Sequence, residues 1–153
     1  MDGYLVAWAA GILDGEGCIT MNRQRPGTGG RINPSHRLFV KVTMGHRPTV
    51  DRLREIFGVG SVHVQRSARW NDAYSWWVAS RQAGFVLRTV RPYLVTKAAE
   101  AELAMEFLAL PSGTTGGRLG NAPLPPELIA ERERLFVALR DAKPSARFRA
   151  AAS

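Results

Sequence analysis

Trp8-Ala9-Ala10-Gly11-Ile12-Leu13-Asp14-Gly15-Glu16-Gly17 is the stretch on which the reading of this 153-residue chain turns. A run of small and aliphatic residues ends abruptly in Asp-Gly-Glu-Gly. Two carboxylates stand two residues apart, wrapped in glycine, at the end of a predicted helix. The spacing places that helix over 4–13: Ala7, Ala10, Gly11 and Asp14 recur at i, i+3, i+4 and i+7, one face made almost entirely of small residues. Tyr4, Leu5, Trp8, Ile12 and Leu13 supply larger groups around it. Acids gathered at one turn of an otherwise cationic chain point to a metal site facing a polyanion.

The cationic character is strong. The formal net charge is +8 and the isoelectric point is near 10.7, which favours nucleic acid or an anionic membrane surface as partner. A membrane-surface role calls for a basic amphipathic helix. Here the basic residues fall mainly in strand-like segments, so nucleic acid is preferred. No apolar run is long enough to span a bilayer, and no signal peptide is visible. The single Cys18 cannot form an internal disulfide, which suits a cytoplasmic or organellar-matrix compartment. It follows the glycine turn and opens a strand, where a small core residue is expected rather than a nucleophile. His36, His46 and His63 are scattered, without zinc-ligand spacing.

Outward from the motif, Cys18 to Arg25 reads as a strand, followed by a Gly/Pro-rich turn over 26–30. Arg37 to Met44 is a second strand. Leu38, Val40 and Val42 lie on one side of it, and Arg37, Phe39, Lys41 and Thr43 on the other. A helix over 48–57 starts at Pro48 and ends in Gly58-Val59-Gly60. Strands over 61–66 and 73–79 follow, then a helix over 81–90. A further helix is expected from Pro92 through to Leu110. A Gly/Pro-rich loop over 111–124 separates the core region, 1–110, from a terminal helix from Pro125 to about Asp141 and its tail, ending at 153. This order defines an α+β fold, αββαββα, with a twisted antiparallel sheet covered by helices on one face. The other sheet face is left polar and basic. A strand of eight residues spans roughly 26 Å at about 3.3 Å each, close to eight base pairs of B-DNA at about 3.4 Å per step.

The segment Ala9 to Gly17 resembles the LAGLIDADG motif of homing endonucleases. Three further features are similar to that family: the Phe57-Gly58-Val59-Gly60-Ser61-Val62 turn, the Arg91-Pro92-Tyr93-Leu94-Val95-Thr96-Lys97 segment, and the element order over 4–110. One motif and no second copy is the pattern of homodimeric members. The resemblance implies a site-specific double-stranded DNA endonuclease that hydrolyses phosphodiester bonds at a long near-palindromic site, of the kind that drives intron homing. It implies a homodimer packed through Ala7, Ala10, Gly11 and Asp14. Close helix approach needs small residues. Gly11 in a helix costs about 0.5–1 kcal/mol relative to Ala, which such a contact offsets.

By the same resemblance Glu16 is the acid that binds the divalent cation and Gly15 contacts it through its carbonyl. Asp14 is an acid near the helix junction with a largely structural role in the site. Lys97, one of only three lysines in the chain, matches the active-site lysine that polarises water or offsets phosphate charge. Mg²⁺ is the expected cation, since it favours few carboxylates and several waters. Mn²⁺ can take its place, and Ca²⁺ supports binding without cleavage. No organic cofactor and no membrane are implied. The family often carries Gln or Asn at the end of the second strand to order solvent. The matching residue here is Met44, or Gly45 with a slipped register, with His46 or Arg47 as substitutes. That departure keeps an alternative open: a nucleic-acid-binding protein, an RNA maturase or transcription regulator, that does not cleave.

Strand alternation selects the DNA-reading residues. They are Thr20, Asn22 and Gln24 in the first strand, Arg37, Lys41 and Thr43 in the second, and His63 and Gln65 in the third. In the fourth strand either Tyr74, Trp76 and Val78 or Ser75 and Trp77 face the DNA, with Tyr74 and Trp76 preferred. Arg23, Arg25, Arg31, Arg66 and Arg69 are placed for phosphate contacts near loop ends.

Overall fold

Asp2 starts the first helix: its carboxylate accepts the Tyr4 N–H at 2.9 Å, satisfying one of the free donors of the first turn. The computed structural model describes residues 1–27, 32–111 and 122–143. Helix α1 runs from Gly3 to Glu16, so both motif acids are on its last turn and not beyond it. Strands β1 (Gly17–Gln24) and β2 (Ser35–Met44) form an antiparallel pair. Helix α2 (Arg47–Phe57), strands β3 (Ser61–Gln65) and β4 (Ala73–Ala79), and helices α3 (Ser80–Val90), α4 (Ala98–Ala109) and α5 (Pro126–Asp141) complete the order. The four-stranded sheet has the order β1-β2-β4-β3, antiparallel throughout. The fold is α+β, as the residue pattern predicts. Arg31, much of the 111–124 loop, the end of the tail and part of the turn over 26–30 lie outside the described residues.

Alternation sets the two faces. Ile19, Met21, Leu38, Val40, Val42, Trp76 and Val78 are buried beneath the helices. Val6, Ala9, Ala10 and Leu13 of α1, Val50 and Leu53 of α2, and Val86 and Leu87 of α3 meet them in one core cluster. Helix α5 belongs to the same body, since Leu139 is part of that cluster. Glu133 of α5 also holds the helix-covered side of the sheet, pairing with Arg23 and with His36 Nε2 at 3.0 Å.

Two expectations are corrected here. The helix predicted from Pro92 to Leu110 is a single 3₁₀ turn over Arg91–Tyr93, a break, and then α4 from Ala98. The break has a cause in α1: Asp14 accepts the backbone N–H groups of Val95 at 2.7 Å and Lys97 at 2.9 Å, donors no longer available to a continuous helix. The preferred register of β4 is also reversed. Trp76 is fully buried, stacked on Phe57 at 5.5 Å, and its Nε1–H donates to the Val59 carbonyl at 3.0 Å. Tyr74 shares that face and packs half-buried against the core, with Arg47 above its ring at 5.8 Å. Neither can face DNA. The indole is large enough that burying it beats exposing it by several kcal/mol, and only Trp76, not Trp77, has a carbonyl waiting at the end of α2. Gly60, at φ +91, makes this possible: a Cβ there would lie 2.6 Å from Trp76 Nε1 and 2.8 Å from the Trp77 carbonyl oxygen.

Candidate nucleic-acid interface and active site

The C-terminal end of α1 gathers the chemistry. Helix C-termini carry partial negative charge, so acids on the last turn are misplaced unless cations or N–H donors compensate them. Asp14 is compensated from within the protomer. Its two carboxylate oxygens take the Val95 and Lys97 N–H groups, and the Lys97 ammonium donates to the Asp14 backbone carbonyl at 2.5 Å. Burial pushes the Asp14 carboxyl up, but the N–H donors of Val95, Lys97 and Thr96 and the charge of Lys97 outweigh it and hold it below its ordinary value. The Glu16 side chain, by contrast, is exposed and its carboxylate enters none of the hydrogen bonds or ion pairs found among the described residues. Gly15 is exposed too, with open space where a Cβ would stand. Gly17 is required by contact: a Cβ there would sit 2.4 Å from the Leu13 carbonyl oxygen, because β1 leaves directly over the helix end.

Two residues that sequence reasoning did not select join this end. Lys143, just past α5, brings its Nζ to 3.4 Å from Cys18 Sγ. Glu100, one turn into α4, is buried at 4% exposure. Burial raises its carboxyl above the ordinary value, and Asp14 adds to this; Lys143 and Lys97 oppose it without prevailing. Glu100 had a signal, its position three residues after Lys97. Lys143 had none, because its place depends on where α5 docks. Cys18 is exposed on the uncovered sheet face, not in the core as expected. Its small side chain stands opposite Lys41.

The uncovered face carries most of the selected residues. A concavity of about 410 Å³ is lined by Thr20, Asn22, Lys41, His63 and Gln65, together with Phe39, Ser75 and Trp77. Thr43 belongs to the same face, its Oγ1 2.8 Å from Ser75 Oγ. Arg37 is exposed, its guanidinium 5.1 Å above the Phe39 ring. Gln24 and Arg25 are exposed at the far end of β1. Arg66 and Arg69 lie exposed at the β3–β4 tip, ordered by Ser67 Oγ, which accepts the N–H groups of Arg69 and Trp70. Arg23 is a correction. It sits on the other side of β1, paired with Glu133 and 4.8 Å over Phe136, and does not face the groove-sized surface. Met44 lies half-buried against the core. Neither expected substitute is free: His46 Nδ1 is 2.8 Å from Thr49 Oγ1 and Arg47 pairs with Asp51 at 3.2 Å.

The outer face of α1 is also corrected. Ala10 is fully buried in its own protomer and offers no surface to a second copy, and Asp14, half-buried, spends its carboxylate within the protomer. The outward stripe is Ala7, Gly11 and Gly15, four residues apart, flanked by Tyr4 at 87% and Trp8 at 39% exposure. A Cβ at Gly11 or Gly15 would meet nothing within 4 Å. Nothing inside the protomer therefore explains either glycine.

No protein-family profile matches the sequence, and no curated protein does. Solved structures match closely in shape. The homing endonuclease I-CvuI, solved with the I-CreI target in the presence of Mg and with the DNA uncleaved, aligns at TM-score 0.72 and 20% identity, over 91% of this chain and 82% of that one. The archaeal intron-encoded homing endonuclease I-Vdi141I, solved with DNA, aligns at TM-score 0.71 and 14% identity, over 92% and 84%. The LAGLIDADG homing endonuclease I-GzeII, also solved with a DNA target, aligns at TM-score 0.62 and 15% identity over 88% of this chain and 43% of that one. The chain has the LAGLIDADG homing-endonuclease fold.

Proposed function

We propose that this protein is a homodimeric, site-specific endonuclease that cleaves double-stranded DNA with a divalent cation. The observation that carries this is the contact between Lys97 and Asp14, 83 residues apart in sequence. It sets an ammonium beside the helix end that bears Glu16, at the edge of an uncovered basic sheet face. Likeness in fold to nucleases solved on DNA supports the same reading.

The donor set fits a cation only as half a site. Among the described residues of one chain no three His, Cys, Asp or Glu side chains cluster as ligands. The Glu16 carboxylate and the Gly15 carbonyl, at the negative end of a helix, would hold Mg²⁺ or Mn²⁺ together with the same groups of a second copy and with phosphate oxygens. The outward stripe of Ala7, Gly11 and Gly15 lets two α1 helices approach closely enough for that. When bound, a divalent cation activates water and offsets charge on the phosphate. Lys97 adds a positive charge next to the scissile phosphate, and Asp14 fixes the backbone that carries it. The sheet face supplies phosphate contacts through Arg25, Arg37, Lys41, Arg66 and Arg69, and base contacts through Asn22, His63 and Gln65.

Glu16→Gln tests the reading. It keeps volume and removes the charge that the cation needs. Cleavage in Mg²⁺ on a selected duplex should fall by at least about two orders of magnitude, while gel-shift affinity in Ca²⁺ persists or tightens. A Glu16→Gln protein that cuts at the wild-type rate overturns the assignment. The apolar Met44 favours one second reading, a DNA-binding protein that does not cut. Tight binding with no cleavage by the wild type would select it.

A further inference from the structure

Two large apolar rings stand on the one sheet face that none of the described elements covers. Phe39 and Trp77 are half-buried there, with ring centroids 5.6 Å apart, and His63 lies 5.3 Å from Trp77 on its other side. Ala79 stands opposite Phe39 and the Arg37 guanidinium lies over its ring; the other residues beside the two rings on this face, Thr43, Ser75 and His63, are polar. Lys41 lies beside both: it is directly opposite Trp77 in the β2–β4 ladder and two residues from Phe39. All of these side chains line the concavity described above.

Resting on the reading of this face as the DNA-binding surface, we infer that Phe39 and Trp77 form a thymine-reading pocket and that each half of the target carries a T·A pair there. Base edges in the major groove present hydrogen-bonding groups almost everywhere. The thymine C5-methyl is the one apolar feature. A cytosine edge set against two rings would lose water without gaining a partner. A purine edge offers N7, and in guanine O6, to the Lys41 ammonium but has no methyl to fill the ring surface. Thymine alone offers a methyl for the rings and, next to it, the O4 acceptor for the Lys41 ammonium. Cytosine presents an amino donor at that place, which an ammonium repels. The pocket is therefore a specificity element for one pyrimidine.

The test uses the full chain in Ca²⁺ and duplexes enriched from a randomised library. The expected result is thymine at one fixed position in each half of the enriched sites. Replacing that thymine by uracil, which removes only the methyl, should weaken binding about fourfold per half-site, and about fifteenfold when both halves are changed. Uracil at unselected positions should change nothing. In the Phe39→Thr/Trp77→Gln double variant, with its fold checked by circular dichroism, the thymine-to-uracil ratio should drop to about one. Enriched sites that bind equally well with uracil, or that hold G·C at every fixed position, overturn the pocket while leaving DNA binding intact. A wild-type chain that enriches no duplex overturns both. If the double variant does not fold, the wild-type comparison alone decides.

Discussion

At the scale of the residue, Asp14 does more for the shape of the site than for its charge. The family resemblance gives the cation to Glu16 and a largely structural role to Asp14, and Asp14 is spent on the backbone of Val95 and Lys97. Asp14→Asn keeps the shape but leaves one acceptor where two N–H groups need one each. Stability should fall by about 1–3 kcal/mol, measured by urea denaturation at neutral pH. The sign of the pH dependence follows from the lowered carboxyl. Its contribution is full above the ordinary carboxylate range, because the folded and unfolded chains are then both ionised. It is lost as pH falls through the folded-state value, because the unfolded chain takes up the proton first. The gap between wild type and Asp14→Asn should be constant from pH 7 to about 4 and narrow below it. A gap that widens towards acid would place the carboxylate in some other role.

At the scale of the element, the sequence made most boundaries legible to within a residue or two, because capping and breaking residues sit at them: Pro48 near the start of α2, Gly58 after it, Asn71 and Asp72 just before β4. The continuous helix from Pro92 was misread because its interruption comes from an acid far away in α1, which no local window contains. The face of β4 was misread for a related reason. Tyr74-Ser75-Trp76-Trp77 alternates large residues on both sides, so hydrophobicity alone does not choose a register. The choice is made by Val59 and Gly60, which accept and admit one indole. On α1 the small residues were legible but not their direction. Ala10 proved to belong to the core and Gly15 to the outside. Gly11→Leu separates the two roles. Since a side chain at Gly11 meets nothing in its own protomer, the variant should fold with an unchanged circular dichroism spectrum. Overpacking between two α1 helices should weaken self-association about tenfold or more, read by sedimentation across a concentration series. A Gly11→Leu chain that dimerises like wild type would move the interface off this stripe.

At the scale of the whole molecule, the net charge of +8 is divided between two uses that composition cannot tell apart. Several arginines are tied up within the helical layer: Arg134 with Glu106 and Glu131, Arg91 with Glu102, Arg23 with Glu133. Others stay open on or beside the sheet: Arg25, Arg37, Lys41 and Arg69 have no acid partner among the described residues. Arg66 has only a long contact of 3.8 Å to Asp72. This division makes the salt dependence of DNA binding residue-specific. The logarithm of affinity should fall linearly with the logarithm of salt, by about 0.9 for each phosphate contact released. Each residue of a homodimer acts twice. Arg25→Ala or Arg69→Ala should therefore flatten the slope by nearly two, with a loss of affinity similar on selected and unrelated duplexes. Arg23→Ala should leave the slope where it is, since that guanidinium already has its anion on α5 and faces away from the groove. Filter binding over about 50–200 mM salt resolves differences of this size. A slope that responds to Arg23 and ignores Arg25 and Arg69 would put the DNA on the helical side and reverse the assignment of the two faces.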